Sequence, residues 1–236
     1  MKPAVLFDLG NTLAAYYSAD QFRPILETAI AEVLDELTCR GLAQVTLEAA
    51  IASAVAENRE AADFRFSPLL DRIARIFGVS AANDLSLAQS LCKRFLRPIF
   101  AMGRVYEETL PVLRELNSGG YRTGIVSNAP WGSPPELWRQ ELERLGLADA
   151  VDCVVLCGDV GWRKPARQIF DHAAERLHRQ PNECVFVGDD LLWDIAGSTA
   201  VGMRPILIDR DNRHRDHIGE RVVDLYGVLS VIAARA

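Results

Sequence analysis

The sequence predicts an α/β protein: a doubly wound, Rossmann-like parallel sheet, interrupted after its first strand by an inserted four-helix cap. Three observations predict it. Ala4, Val5, Leu6 and Phe7 run unbroken into Asp8 and the turn formers Gly10 and Asn11, the pattern of a strand buried on both faces. The next roughly ninety residues repeat apolar side chains at three and four positions, with no strand pattern between them. From Val105 onward helical and strand segments alternate, which implies right-handed crossovers and a parallel sheet covered on both faces.

The first strand ends on Asp8. In open α/β sheets ligands gather in the crevice at the carboxyl ends of the strands, so this carboxylate faces a candidate site. An aspartate between a strand and a helix also serves as a helix cap, and its position alone does not separate the two roles. Phe22, Leu26, Ile30, Val33 and Leu37 then draw an apolar stripe along a helix over about 20–40, closed by Gly41. A second helix follows Thr46, with Leu47, Ile51, Ala54 and Val55 on one face. A third takes Ser67 as N-cap and Pro68 as its first position and stops at Gly78; a fourth covers about 85–100. Four such helices with short connections make a small bundle. The expected division is a cap domain at 15–103 and a core domain at 1–14 and 104–236.

In the core, a helix carrying Leu110, Leu113 and Leu116 ends at Gly119 and Gly120, and a strand over 121–126 ends at Ser127 and Asn128. A helix at about 135–145 leads to a strand at 151–156. Another at about 165–177 leads to a strand at 184–187, which ends at Gly188, Asp189 and Asp190. A short helix to Val201 precedes a strand at 205–208.

With 236 residues and 49% hydrophobic content the chain buries a sizeable core. A net charge of -6 and the lack of a basic stripe exclude a nucleic-acid surface and point to a small-molecule partner. The five cysteines (Cys39, Cys92, Cys153, Cys157, Cys184) form no Cys-x-x-Cys pair and sit mostly among apolar neighbours, as buried reduced thiols do. Met1, Lys2 and Pro3 run straight into the first strand, and no apolar run reaches membrane-spanning length. The expectation is a soluble cytoplasmic protein with no membrane partner. Nothing in the sequence fixes an oligomeric state.

A parallel sheet lines up its carboxyl ends, so polar groups far apart in sequence meet at one edge. Those groups are Asp8, Ser127, Lys164 and the acidic set Asp189, Asp190 and Asp194. Carboxylates crowded in a small space call for a cation between them, and an all-oxygen site that keeps several waters suits Mg²⁺. The Ser127 hydroxyl, the Lys164 ammonium and backbone N–H groups at Asn11, Thr12 and Asn128 suit an anion with three oxygens, most simply phosphate. Asp8 is then a carboxylate nucleophile, forming an aspartyl phosphate that water cleaves. Taken singly, Ser127 with Asn128 also reads as a helix cap, and Lys164 with Pro165 as a solvated loop. The ordered set carries the functional reading. His214 and His217 have a metal-ligand spacing but no third ligand nearby, and read as part of a solvated loop with Arg213, Arg215 and Asp216.

These segments resemble the four motifs of the haloacid dehalogenase-like hydrolase superfamily. FDLGNT resembles the first, which implies Asp8 as nucleophile and the Gly10 backbone carbonyl as a metal ligand. IVSN resembles the second, with Ser127 binding phosphate. WRKP resembles the third, with Lys164 holding nucleophile and phosphate, and GDDLLWD the fourth, with Asp189 and Asp194 serving Mg²⁺. The helical insert resembles that superfamily's cap of the first type. The resemblance implies a phosphatase acting on a small phosphorylated metabolite.

The departure is at Gly10. Phosphatases of the superfamily usually carry a second aspartate there, acting as general acid and base; glycine keeps the carbonyl and loses the proton donor. Some members with glycine at this position resemble sugar-phosphate phosphatases, while the 2-haloacid dehalogenases also lack the aspartate. Two alternatives follow: a metal-free dehalogenase in which Asp8 displaces halide, and a catalytically weak protein that binds a phosphorylated ligand or a partner. A dehalogenase has no phosphate charge to neutralise, so the acidic cluster favours the phosphatase. Specificity is expected from Tyr16, Tyr17, Arg65 and Phe66 of the cap and from Trp131 in the loop after Ser127.

Overall fold

The computed structural model describes residues 2–18, 20–58 and 62–234. The chain opens with β1 (Ala4–Phe7), buried at all four positions, and a tight loop leads to β2 (Ala14–Ala15). Four helices follow: α1 (Phe22–Cys39), α2 (Leu47–Glu57), α3 (Leu69–Phe77) and α4 (Leu85–Met102). β3 (Arg104–Val105) then pairs antiparallel with β2, so the helical insert leaves and rejoins the sheet domain through one short ribbon. The remainder runs α5 (Thr109–Ser118), β4 (Arg122–Ser127), α6 (Pro135–Arg144), β5 (Cys153–Leu156), the single turn α7 (Cys157–Val160), α8 (Arg167–Arg176) and β6 (Cys184–Gly188). A π-helical turn over Leu191–Ala196 continues into α9 (Gly197–Ala200), followed by β7 (Arg204–Ile208), β8 (Arg221–Val222) and α10 (Leu225–Ala233).

The main sheet has the order β5-β4-β1-β6-β7-β8 and is parallel throughout. From β1 the chain builds outward to β5, then returns to the other flank of β1 and builds outward again to β8. The order therefore reverses between β1 and β6, and the carboxyl ends on either side of that point form the crevice where α/β sheets bind ligands. Register puts the chemistry on one level, because Phe7 lies opposite Ile125 of β4 and Val187 of β6. Phe170 of α8 meets Phe186 of β6 edge to face at 5.1 Å beneath this edge, so the crevice stands on a fully buried floor.

In the insert, Thr46 caps α2 through the Ala49 N–H and Asp84 caps α4 through the Leu87 N–H. Gly78 ends α3 in the left-handed region, as the sequence predicts. The buried carboxylate of Glu36 joins α1 to α4, accepting from Ser90 Oγ at 2.6 Å and Arg94 Nε at 3.2 Å. One expectation fails. Ser67 does not cap α3: Pro68, extended at φ -60 and ψ 140, is itself the cap residue, and the helix begins at Leu69. The Ser67 carbonyl instead packs across the fold against Gly132 in the loop after β4. Gly132 has φ +68, and a Cβ there would collide with that carbonyl, so the close approach requires glycine.

All five cysteines are free thiols, four of them buried and Cys39 exposed. No helix among the described residues is long and apolar enough to cross a membrane.

Candidate active site

Asp8 continues the β1 ladder by donating its N–H to the Val187 carbonyl at 2.9 Å, which fixes its carboxylate at the mouth of the crevice. Lys164 arrives there from the far side of β4. Asn128 holds it by both ends of the side-chain amide: Oδ1 accepts from the Lys164 N–H at 2.8 Å and Nδ2 donates to the Lys164 carbonyl at 3.1 Å. The Lys164 ammonium then donates to Asp8 Oδ1 at 2.5 Å and to Asp194 Oδ1 at 2.6 Å, with the side chain only 2% exposed. The solvated-loop reading of Lys164 is thereby excluded.

Asp194 is set by the π-helical turn. Its own N–H and that of Ile195 both donate to the Asp190 carbonyl at 3.1 Å, which widens the turn and directs the Asp194 carboxylate back to the sheet edge. A Cβ on Gly188 would collide with that carboxylate, so glycine ends β6 for reasons of space. Asp190 acts differently from its neighbours, since its Oδ1 accepts from the N–H groups of Leu192 and Trp193, each at 2.8 Å, and caps the turn.

The loop after β1 distributes its peptide groups differently from the prediction. The Asn11 N–H is tied back to the Ala14 carbonyl at 2.7 Å, with Asn11 in the left-handed region at φ 56. It is not available to an anion. Because C=O and N–H of a trans peptide point in opposite directions, the Gly10 carbonyl faces away from that bond, and it accepts no hydrogen bond among the described residues. Thr12 is fully buried and does not line the cavity above Asp8, so its backbone N–H does not reach an anion held there, against the expectation. Its backbone N–H has no partner among the described residues.

Asp8, Asp189 and Asp194 each offer an oxygen within 4.8 Å of the others. Lys164 supplies one positive charge against these three carboxylates. Burial and then repulsion from Asp8 and Asp194 push the Asp189 carboxyl well above the usual range. Burial also pushes Asp194 up, although Lys164 opposes it. Lys164 itself is driven down by burial but held above the ordinary lysine value by Asp194 and Asp8. The cluster is short of positive charge. Its donor set, three carboxylates with the Gly10 carbonyl adjacent, fits a hard divalent cation.

Above the cluster lies a cavity of about 570 Å³. Of the expected site residues, Asp8, Gly10, Asn11, Ser127, Asn128, Lys164, Asp189 and Asp194 line it, and so do Tyr16, Tyr17 and Trp131. Arg65 and Phe66 do not. Arg65 stacks on Trp162 at 4.4 Å from the ring centroid and pairs with Asp63, while the Phe66 N–H donates to the Gly161 carbonyl at 3.0 Å; they strap the insert to the loop that carries Lys164. Phe22, Asn58, Arg72, Ile99, Trp138, Arg163 and Trp193 also line the cavity and do not stand out as site residues in the sequence. Two carry a signal there: Arg163 and Trp193 lie inside WRKP and GDDLLWD. Arg72 carries another, a cation interrupting the apolar stripe Leu69, Ile73, Ile76 and Phe77 of α3, where it is 5% exposed.

A parallel α/β sheet whose reversal point gathers an aspartate, a serine, a lysine and an acidic pair defines a class of hydrolases. The family model for haloacid dehalogenase-like hydrolase matches residues 2–202, and the chain belongs to that family. It is 30% identical over 229 residues, 95% of this chain and 94% of the other, to the glyceraldehyde 3-phosphate phosphatase of Methanothermobacter thermautotrophicus. Among solved structures it is similar to the HAD phosphatase of Thermococcus onnurineus, with 27% identity, a TM-score of 0.69 and 98% of each chain covered. The 2-haloacid dehalogenase of Pseudomonas syringae shares the fold, with a TM-score of 0.71 at 23% identity over 100% of each chain.

Proposed function

We propose that the protein is a Mg²⁺-dependent phosphomonoesterase that acts on a small phosphorylated metabolite through an aspartyl phosphate at Asp8. One observation carries the reading: the Lys164 ammonium donates to Asp8 at 2.5 Å and to Asp194 at 2.6 Å within a cluster that holds a third carboxylate, Asp189. That arrangement suits a cation and an anion bound side by side. Asp8, Asp189, Asp194 and the Gly10 carbonyl would hold Mg²⁺, which when bound would neutralise charge on the phosphoryl oxygens. Lys164, the Ser127 hydroxyl and the backbone N–H of Asn128 would hold the phosphate. Asp8 attacks phosphorus, the bond to the ester oxygen breaks, and the leaving oxygen takes a proton from solvent; water then attacks phosphorus, giving a proton back to solvent, releasing phosphate and restoring Asp8. Over this site the helical insert, 15–103, acts as a cap whose Tyr17, Phe22 and Arg72 meet the rest of the substrate.

The phosphatase names of the relatives support this class of substrate. Halide displacement by Asp8 requires no cation, and a crowded acidic cluster would only hinder a 2-haloacid carboxylate. The direct test is phosphate release over a panel of phosphorylated three- to six-carbon metabolites, with Mg²⁺ and with chelator. Release that is confined to the Mg²⁺ arm is expected; halide release from a 2-haloacid in chelator would establish the dehalogenase instead.

Metal binding has its own readout. Asp189→Asn removes a charge from the cation site and leaves Lys164 with both of its partners. Calorimetric titration is expected to give Mg²⁺ affinity weaker by about tenfold or more than in the unaltered chain. Equal affinities would remove Asp189 from the ligand set.

A further inference from the structure

We infer that the substrate is an aryl phosphate, an ester whose leaving oxygen sits on a flat aromatic ring, and that this ring is held among the aromatic side chains of the cavity above Asp8. Aromatic residues make up 8% of the chain. Yet Tyr16, Tyr17, Phe22, Trp131, Trp138 and Trp193 all line this one cavity, which takes in three of the four tryptophans. Its volume of about 570 Å³ falls within the range of about 300–1,000 Å³ occupied by pockets for whole small-molecule ligands, so a ring fits beside the phosphate.

The six rings divide into two sets. Tyr16, Trp131 and Trp138 are buried wall: Tyr16 meets Trp138 edge to face at 5.6 Å, Phe100 meets Trp138 edge to face at 5.0 Å, and Phe95 backs Trp131 at 5.5 Å. Tyr17, Phe22 and Trp193 are only partly buried. Tyr17 and Phe22 come from the helical insert, their centroids 6.1 Å apart and their planes tilted by 43°, while Trp193 comes from the π-helical turn after β6. Ring surface left partly open in a cavity is what a flat apolar ligand covers, and aromatic pairs add to the gain from area alone. Two of the rings are also held by cations. Arg72 lies 5.4 Å from the Trp131 centroid and Arg163 lies 5.5 Å from that of Trp193, and rings fixed in this way cost less to order when a ligand binds.

A ring-lined cavity also takes a sugar, whose C–H edges pack on aromatic faces, and Gly10 decides between the two. A sugar oxygen is an alkyl leaving group and needs a positioned proton donor as its bond to phosphorus breaks. Gly10 has no side chain to supply one. An aryl oxygen needs none: as Asp8 bonds to phosphorus the ester P–O bond breaks, its electron pair leaves on the ring oxygen as a phenolate, and solvent protonates the phenolate afterwards. The ring-lined cavity and the missing donor are separate features of the chain, and one substrate class satisfies both.

The inference rests on the phosphatase reading and narrows it. One comparison measures kcat/KM in saturating Mg²⁺ for phenyl phosphate and hexafluoroisopropyl phosphate, whose alcohols are of similar acidity, so that proton demand is matched and the ring is what differs. The other titrates phenylphosphonate and cyclohexylphosphonate, which match in size, into the same chain by calorimetry. The aromatic member of each pair is expected to be favoured by about tenfold. Phe22→Leu and Tyr17→Leu keep an apolar side chain at partly buried positions and are each expected to narrow both ratios to about threefold; either serves if the other does not fold. Equal values in either comparison, or ratios left unchanged in the folded variants, would overturn the inference while leaving the phosphatase reading intact. No hydrolysis of any phosphate ester in Mg²⁺ would overturn both.

Discussion

Asp8→Asn is expected to lower phosphate release by about 10⁴-fold or more, the scale seen when an enzyme's nucleophile is removed. The carboxamide is a far weaker nucleophile than the carboxylate, so the phosphoryl group has no acceptor and the two-step route closes. The fold has reason to survive. The change is isosteric, Lys164 keeps its 2.6 Å bond to Asp194, and the Asp8 N–H that continues the β1 ladder is untouched. A phosphate-release assay in saturating Mg²⁺, alongside an unfolding curve, separates lost chemistry from lost structure. If a folded Asp8→Asn protein releases phosphate at an undiminished rate, water attacks the ester directly and the aspartyl phosphate is not on the path.

The sequence is informative wherever a physical constraint acts along the chain. β1, β5 and β6 are apolar along their whole length and β4 and β7 in their later residues, and each strand feeding the site ends at a residue too polar to continue it: Asp8, Ser127, Asp189. Constraints acting across the chain leave less trace. β2 and β3 are two residues each, below the length at which periodicity is defined, yet they form the ribbon from which the helical insert hangs. Ser67 is a good capping residue by type, but Pro68 takes the cap position and the Ser67 carbonyl lies against Gly132, 65 residues away in the chain. Arg65 and Phe66 look like cap residues facing a substrate, but they bind the Gly161–Arg163 segment instead. Periodicity reports that a side chain is buried, not which neighbour buries it. Arg210 is the extreme case: it stands in a polar stretch with no pattern, yet it donates to the Asn11 and Thr12 carbonyls and to Glu108, between 102 and 199 residues away in sequence.

Gly10 leads to the second large effect. In a two-step phosphatase the leaving oxygen must gain a proton and the attacking water must lose one, and a positioned side chain contributes about 10²- to 10⁴-fold to such steps. Glycine contributes nothing. Nor does the nearby Tyr16, whose hydroxyl is enclosed without a hydrogen-bond partner and is pushed far above the usual tyrosine range by burial and then by Glu141. Hydrolysis by this chain is therefore expected to fall steeply as leaving-group pKa rises, with acyl and aryl phosphates cleaved faster than alkyl phosphates by about 10²-fold or more. Gly10→Asp should flatten that dependence and raise alkyl phosphate turnover by about 10²-fold. The structure has room for the change: a Cβ on Gly10 meets nothing within 4 Å, and its backbone is outside the left-handed region. The neighbouring peptide remains tied through the Asn11 N–H to Ala14, so the Gly10 carbonyl keeps its direction. Rates over a graded series of phosphate esters, measured for both proteins in saturating Mg²⁺, provide the comparison. A series already flat in the unaltered chain would mean that another group, or the substrate itself, delivers the proton, and the role assigned to the missing side chain at Gly10 would be wrong.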